Sequence, residues 1–88
     1  MEILLLSSLS CVPCKAIKPI VEKLSEKTKV PFRIVNREHD TQGDFNKYNF
    51  TSVPTVIILK DKKPMWSKTG LISESELLGH INKYKEIQ

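Results

Sequence analysis

The chain holds two cysteines, and they stand three apart as Cys11-Val12-Pro13-Cys14. A short apolar run, Ile3 to Ser7, precedes them and reads as a buried strand. Ser8 to Ser10 is a polar loop. A helical pattern follows from Cys11, with Ile17, Ile20, Val21 and Leu24 on one face and Lys18, Glu22, Lys23 and Glu26 on the others. The pair therefore sits at a strand-to-helix junction, and any fold must accommodate it there. Pro13 suits a first helical turn, where its missing N–H costs nothing. Pro19 falls in the helix interior, so it is expected to free the Lys15 carbonyl and kink the helix.

Beyond Pro31 the punctuation continues at short intervals. Phe32 to Val35 reads as a second strand and Asn36 to Thr41 as a polar loop. A short helix follows with Phe45 and Tyr48 on one face, closed by Asn49 in a left-handed conformation. Thr55 to Lys60 is almost continuously β-branched and apolar, as expected of a central strand covered on both faces. Asp61 to Pro64 reads as a turn and Met65 to Thr69 as the partner strand. Ser73 and Glu76 form a capping box, with Ile72 and Leu77 at the staple positions. Leu77, Leu78, Ile81 and Tyr84 supply the buried stripe of the last helix. The order is β-α-β-α-β-β-α, an α/β chain. Its first crossover implies parallel, right-handed pairing, and its last two strands form an antiparallel hairpin. At 88 residues, residues 1–88 are expected to form one domain of modest stability, without a deep internal cavity.

Composition removes several classes. The longest apolar runs, Ile3 to Leu6 and Val56 to Leu59, fall far short of the ~20 residues that span a bilayer. No basic start precedes the first run and the second residue is Glu2, so a signal peptide is not expected and the reducing cytosol is the expected location. The net charge of +4 comes from 14 basic and 10 acidic residues. The basic residues are spread along the chain, and no run of like charge exceeds Lys62-Lys63, so nucleic acid is not expected as a partner. Lys60, Lys62 and Lys63 read as a solvated hairpin tip.

A helix N-terminus presents free N–H groups and partial positive charge, which stabilise a thiolate. Cys11, at the mouth of the helix, should be the exposed group. Cys14 lies one turn inside, close enough to close a disulfide through that turn. The Cys11 thiolate would attack a substrate disulfide, and Cys14 would then attack Cys11, release the reduced substrate and leave the intramolecular disulfide. Pro13 removes an N–H and stiffens the turn, which favours a reducing protein, and Lys15 adds positive charge nearby. Half a zinc site is the competing reading. It needs four ligands, and only His39 and His80 could join. His80 reads as a packed core residue, and His39, between Glu38 and Asp40, as a solvated one, so no metal is expected. A purely structural disulfide closing so short a loop would stabilise little.

These residues resemble the thioredoxin and glutaredoxin superfamily over Ile3 to Tyr84. Cys11-Val12-Pro13-Cys14-Lys15 is similar to the thioredoxin Cys-Gly-Pro-Cys-Lys. Pro19 matches the helix-kinking proline five residues after the second cysteine. Ser52-Val53-Pro54-Thr55 looks like the cis-proline loop, and Gly70 precedes a capped terminal helix. The resemblance implies a minimal thioredoxin fold, with a four-stranded mixed sheet flanked by three helices. It also implies a cis Val53–Pro54 bond facing the cysteines, where the Val53 backbone would pair with an extended substrate segment. Val12, Pro13, Val53, Pro54 and Gly70 would then bind substrate around catalytic Cys11 and Cys14, with Val12 and Leu71 flanking the groove.

Three departures stand out. The extra N-terminal strand and helix of ordinary thioredoxins are not expected in these residues, which in this resemble glutaredoxins and the short thioredoxin-like proteins of phages and archaea. Ser10 replaces the tryptophan before the first cysteine, and the single tryptophan is Trp66. Leu5 replaces the buried aspartate that accepts a proton from the second cysteine, so water or a nearby side chain is expected to take that proton. Gly70-Leu71-Ile72-Ser73 lacks the glycine pair and aspartate with which glutaredoxins hold glutathione. The resemblance therefore favours a monomeric dithiol–disulfide oxidoreductase that reduces protein disulfides. No cofactor would be bound, and electrons would come from NADPH or ferredoxin through a thioredoxin reductase. A glutaredoxin using glutathione is the alternative. Ribonucleotide reductase is a frequent target of the superfamily, and nothing in these residues selects it. A binding module within a larger enzyme, and an iron–sulfur or zinc site shared by two subunits, are the readings from other classes.

Overall fold

The computed structural model describes residues 1–49 and 52–86. The elements are β1 (Glu2–Ser7), α1 (Val12–Thr28), β2 (Phe32–Asn36), a 3-10 turn (Arg37–His39), α2 (Asp44–Lys47), β3 (Thr55–Lys60), β4 (Lys63–Thr69) and α3 (Glu74–Glu86). The expected order holds. The sheet runs β2-β1-β3-β4, with β1 parallel to β2 and antiparallel to β3, and β3 antiparallel to β4.

Strand alternation explains why the β1 and β3 sequences are apolar throughout. Successive side chains face opposite sides of a sheet, and here both sides are covered. Ile3, Leu5, Val56 and Ile58 join Ile17, Val21 and Leu24 of α1 and Leu77 and Ile81 of α3 in one cluster. Leu4, Leu6, Ile57 and Leu59 join Val35 and Phe45 in the other, with Tyr48 and Val53 packed against it. Phe45 and Tyr48 thus share a face as expected. Asn49 follows α2 with φ 62°, the left-handed stop read from the sequence. Helix α1 runs continuously through Pro19 to Thr28 and is closed by Lys29, with φ 63°. The Lys85 ammonium donates to the Thr28 carbonyl at 2.8 Å and so serves one of the orphan acceptors at that end.

Four expectations are corrected. Helix α1 begins at Val12, because Cys11 is extended and acts as its N-cap. The segment read as a loop after β2 contains the Arg37–His39 turn, and β2 itself extends to Asn36. The hairpin turn is only Asp61-Lys62. Both residues have positive φ, 53° and 64°, the geometry of a tight two-residue hairpin. Strand β4 therefore resumes at Lys63. Pro64 is tolerated inside it because β4 is an edge strand and the register shifts between Ile58 and Leu59. The capping box forms only by half. Glu76 N–H donates to Ser73 Oγ at 3.2 Å, while the Glu76 carboxylate goes instead to Lys68 Nζ on β4, at 2.8 and 3.0 Å. A charged partner outcompetes a neutral amide for that carboxylate.

The strand registers position the site. Leu6 pairs with Thr55, Ser7 with Asn36, and Thr55 with Thr69. The segments 8–11, 37–39, 52–54 and Gly70 accordingly emerge at one end of the sheet, the carboxyl end of the parallel pair, where α/β sheets place their ligand sites.

Candidate active site

Cys11 holds the N-cap position of α1 with φ −89° and ψ 109°, and its Sγ accepts from Cys14 N–H at 3.1 Å. The Cys11 N–H in turn donates to the Ser8 carbonyl at 3.2 Å. The cysteines form a disulfide with their Cα atoms 5.3 Å apart. Cys14 is 2% exposed, whereas Cys11 is half-buried, so the outer sulfur is the accessible one. No acidic residue occupies the first turn of α1, and the free N–H groups there face a sulfur rather than a carboxylate.

The loop before β3 emerges at the same end of the sheet. The Val53–Pro54 peptide bond is cis. Gly70 N–H donates to the Pro54 carbonyl at 2.8 Å, which joins two of the expected binding residues directly. Gly70 has φ 102°, a conformation that suits glycine. Thr55 Oγ1 lies 2.8 Å from the Ser52 carbonyl and 3.0 Å from Thr69 Oγ1, pinning the loop to both strands of the hairpin. The Val53 side chain packs inward against the second core cluster. Among the described residues, Leu9, Val12 and Leu71 are exposed apolar groups at this end, at 56%, 73% and 63%.

Behind Cys14 lies a cavity of about 160 Å³ that Leu5, Ser7, Cys14, Lys18, Ile34 and Asn36 border. Leu5 is fully buried, and no carboxylate borders the cavity. Lys18 stands four residues after Cys14 on α1, and helical side chains lean toward the N-terminus, over the preceding turn. Ser7, Lys18 and Asn36 give the cavity polar lining, and it is large enough for several waters at ~30 Å³ each. A larger cleft of about 220 Å³ opens beside β2 among Arg33, His39 and Asp44, and neither cysteine borders it.

Sequence reasoning missed Glu38. Its carboxylate accepts from Ser8 Oγ at 2.8 Å and from Leu9 N–H at 3.1 Å, inside the loop that leads to Cys11. The Ser8 and then the Leu9 hydrogen bonds hold the Glu38 carboxyl below the ordinary glutamate value. The one available signal was Glu38's place just after β2, which is parallel to β1. His39 is exposed, as expected. His80 is only half-buried and stacks on Trp66, with ring centroids 4.2 Å apart and planes 20° from parallel. Among the described residues no three His, Cys, Asp or Glu side chains converge as a metal site, and no helix is long and apolar enough to cross a membrane.

Residues 3–83 match the thioredoxin family model. The thioredoxin of Bacillus subtilis is 32% identical over 75 residues, which cover 84% of this chain and 72% of that one. The thioredoxin of Rickettsia felis is 30% identical over 74 residues, covering 83% and 70%. A mutant thioredoxin of Halobacterium salinarum superposes with a TM-score of 0.89 at 25% identity, over 99% of this chain and 76% of that one. Thioredoxin 1 of Thermosipho africanus superposes at 0.86 over 99% and 97%; at 24% identity this likeness bears on the fold.

Proposed function

The chain belongs to the thioredoxin family and is a thiol–disulfide oxidoreductase, and from that premise we propose how its residues divide the work. Cys11 is the attacking thiol and Cys14 the resolving one. The carrying observation is their unequal exposure across a single helical turn, with the outer sulfur at the N-cap. In the reducing direction the Cys11 thiolate attacks a substrate disulfide and displaces one substrate sulfur as thiolate. The Cys14 thiolate then attacks Cys11 Sγ, expels the second substrate sulfur and closes the Cys11–Cys14 bond. The substrate gains two electrons and the protein loses them.

Cys14 must lose its proton before the second step. Leu5 offers no acceptor, so the proton passes to water in the cavity behind Cys14. The Lys18 ammonium, reaching back over that turn, favours the thiolate that remains. The pH dependence of the resolving step should therefore report thiol ionisation, with no carboxylate acting as the base.

Val12, Pro13, Val53, Pro54 and Gly70 receive the substrate. Val53 turns its side chain into the core, which leaves its backbone to pair with an extended segment. Exposed Leu9, Val12 and Leu71 form the apolar rim. Residues 1–88 act as one redox domain, reduced by a thioredoxin reductase and serving protein disulfides. The donor is the test. The oxidised protein is offered NADPH with a panel of thioredoxin reductases and, separately, glutathione. Rapid reduction by a reductase with slow reduction by glutathione is expected. Efficient reduction by glutathione alone would overturn the assigned donor.

A further inference from the structure

The polar contacts around the redox loop form one unbroken path. The Glu38 carboxylate accepts from Ser8 Oγ and Leu9 N–H. The Ser8 carbonyl accepts from Cys11 N–H. Cys11 Sγ accepts from Cys14 N–H. Ser8 Oγ also lies 3.4 Å from Ser10 Oγ, a contact within the loop that ties it to no other element. Leu9 is 56% exposed and buries too little to anchor it, and Ser10, directly before Cys11, is an exposed serine rather than an apolar anchor. Glu38 comes from a different element, the 3-10 turn after β2, and so ties the loop to the sheet.

We propose that Glu38 is a positioning residue for the reaction: it clamps Ser8 and Leu9 so that Cys11 stays at the N-cap of α1, where the helix stabilises its thiolate. The proposal rests on Cys11 being the attacking thiol. Two effects of the carboxylate oppose each other. Its negative charge disfavours a thiolate nearby, whereas its hydrogen bonds keep that thiolate where the helix N–H groups can reach it. Charged groups near the loop include three cations, Arg37 beside Glu38 and Lys15 and Lys18 of α1, which border the same cavity as Ser8 and Leu9; His39 and Asp40 follow Glu38 in the chain. The three cations offset the charge effect. The proposal makes the positioning effect the larger, and the sign of a measurement separates the two.

The reduced protein is alkylated with iodoacetamide across a pH series, and peptide mapping follows Cys11 and Cys14 separately. In Glu38→Ala the Cys11 rate near neutral pH should fall about three- to tenfold, the size of a lost cap and helix-terminus contribution, with the profile moving to higher pH. Glu38→Gln keeps an acceptor oxygen and should restore most of the rate. Ser8→Ala, which removes one of the two donors, should fall between. An unchanged profile in Glu38→Ala, or one displaced to lower pH, would overturn the proposal by leaving only the charge effect. Circular dichroism checks folding, and if Glu38→Ala does not fold, an unaltered profile in Ser8→Ala overturns it equally. A Cys11 no more reactive than Cys14 in the unaltered chain would instead remove the assignment of the attacking thiol.

Discussion

Gly70 donates its N–H to the carbonyl of Pro54 at 2.8 Å, so the segment entering α3 and the loop entering β3 are joined at the end of the sheet from which the Cys11 loop also emerges. Thr55 secures the same loop through Ser52 and Thr69. Its side chain is fully buried, and its hydroxyl cannot exchange these partners for water. Thr55→Val keeps the shape and removes the hydroxyl. Urea unfolding should show a loss of about 1–2 kcal/mol, the net worth of a buried hydrogen bond plus a carbonyl left with one partner fewer. Turnover of a protein disulfide should suffer more than turnover of a small disulfide, since only the former uses the loop backbone.

Asp44 is 2% exposed and receives both terminal nitrogens of Arg33, at 2.9 and 3.2 Å. Arg33→Met strands that carboxylate in a buried site and should destabilise the protein by about 2–4 kcal/mol. The lower end is favoured because the arginine is itself one-third exposed. Adding Asp44→Leu to Arg33→Met should recover much of the loss, because an apolar pair replaces a buried ion pair at little cost. A double variant as unstable as the sum of the two single ones would exclude direct coupling.

The Glu38 carboxyl is held below the ordinary glutamate value by the Ser8 and Leu9 hydrogen bonds. A depressed folded value means that the group stabilises the fold above the unfolded value and loses that contribution as pH falls through the folded one. Below about pH 4.3, the free glutamate value, the unaltered protein should lose stability more steeply than Glu38→Gln. Thermal unfolding across pH 2 to 6 reads this directly, and parallel curves would refute it.

Much of this site was legible because its residues are bound to element boundaries. The cysteine spacing and Pro13 mark the start of α1. The continuous apolar stretches of Ile3 to Leu6 and Val56 to Leu59 follow from a sheet covered on both faces. Contacts across elements were not legible. Glu38 and Ser8 are thirty residues apart, and only the parallel β1–β2 register brings them together. Glu76 matched a capping pattern in one dimension, but the fold offered it Lys68 in three. The Pro64 position was misread because a turn proline and an edge-strand proline look alike until the bulge beside it is seen. The Trp66–His80 stack joins β4 to α3, and neither residue's neighbours in the chain announce it.

Cys14→Ser tests the division of labour between the two cysteines most directly. The reduced variant is mixed with a disulfide-bonded protein, and the products are separated without reductant and mapped by mass. Stable mixed disulfides should accumulate on Cys11 and disappear with dithiothreitol, because the attacking thiol remains and the resolving one is gone. If no adduct forms while Cys11 still alkylates and the fold is intact, Cys11 is not the nucleophile.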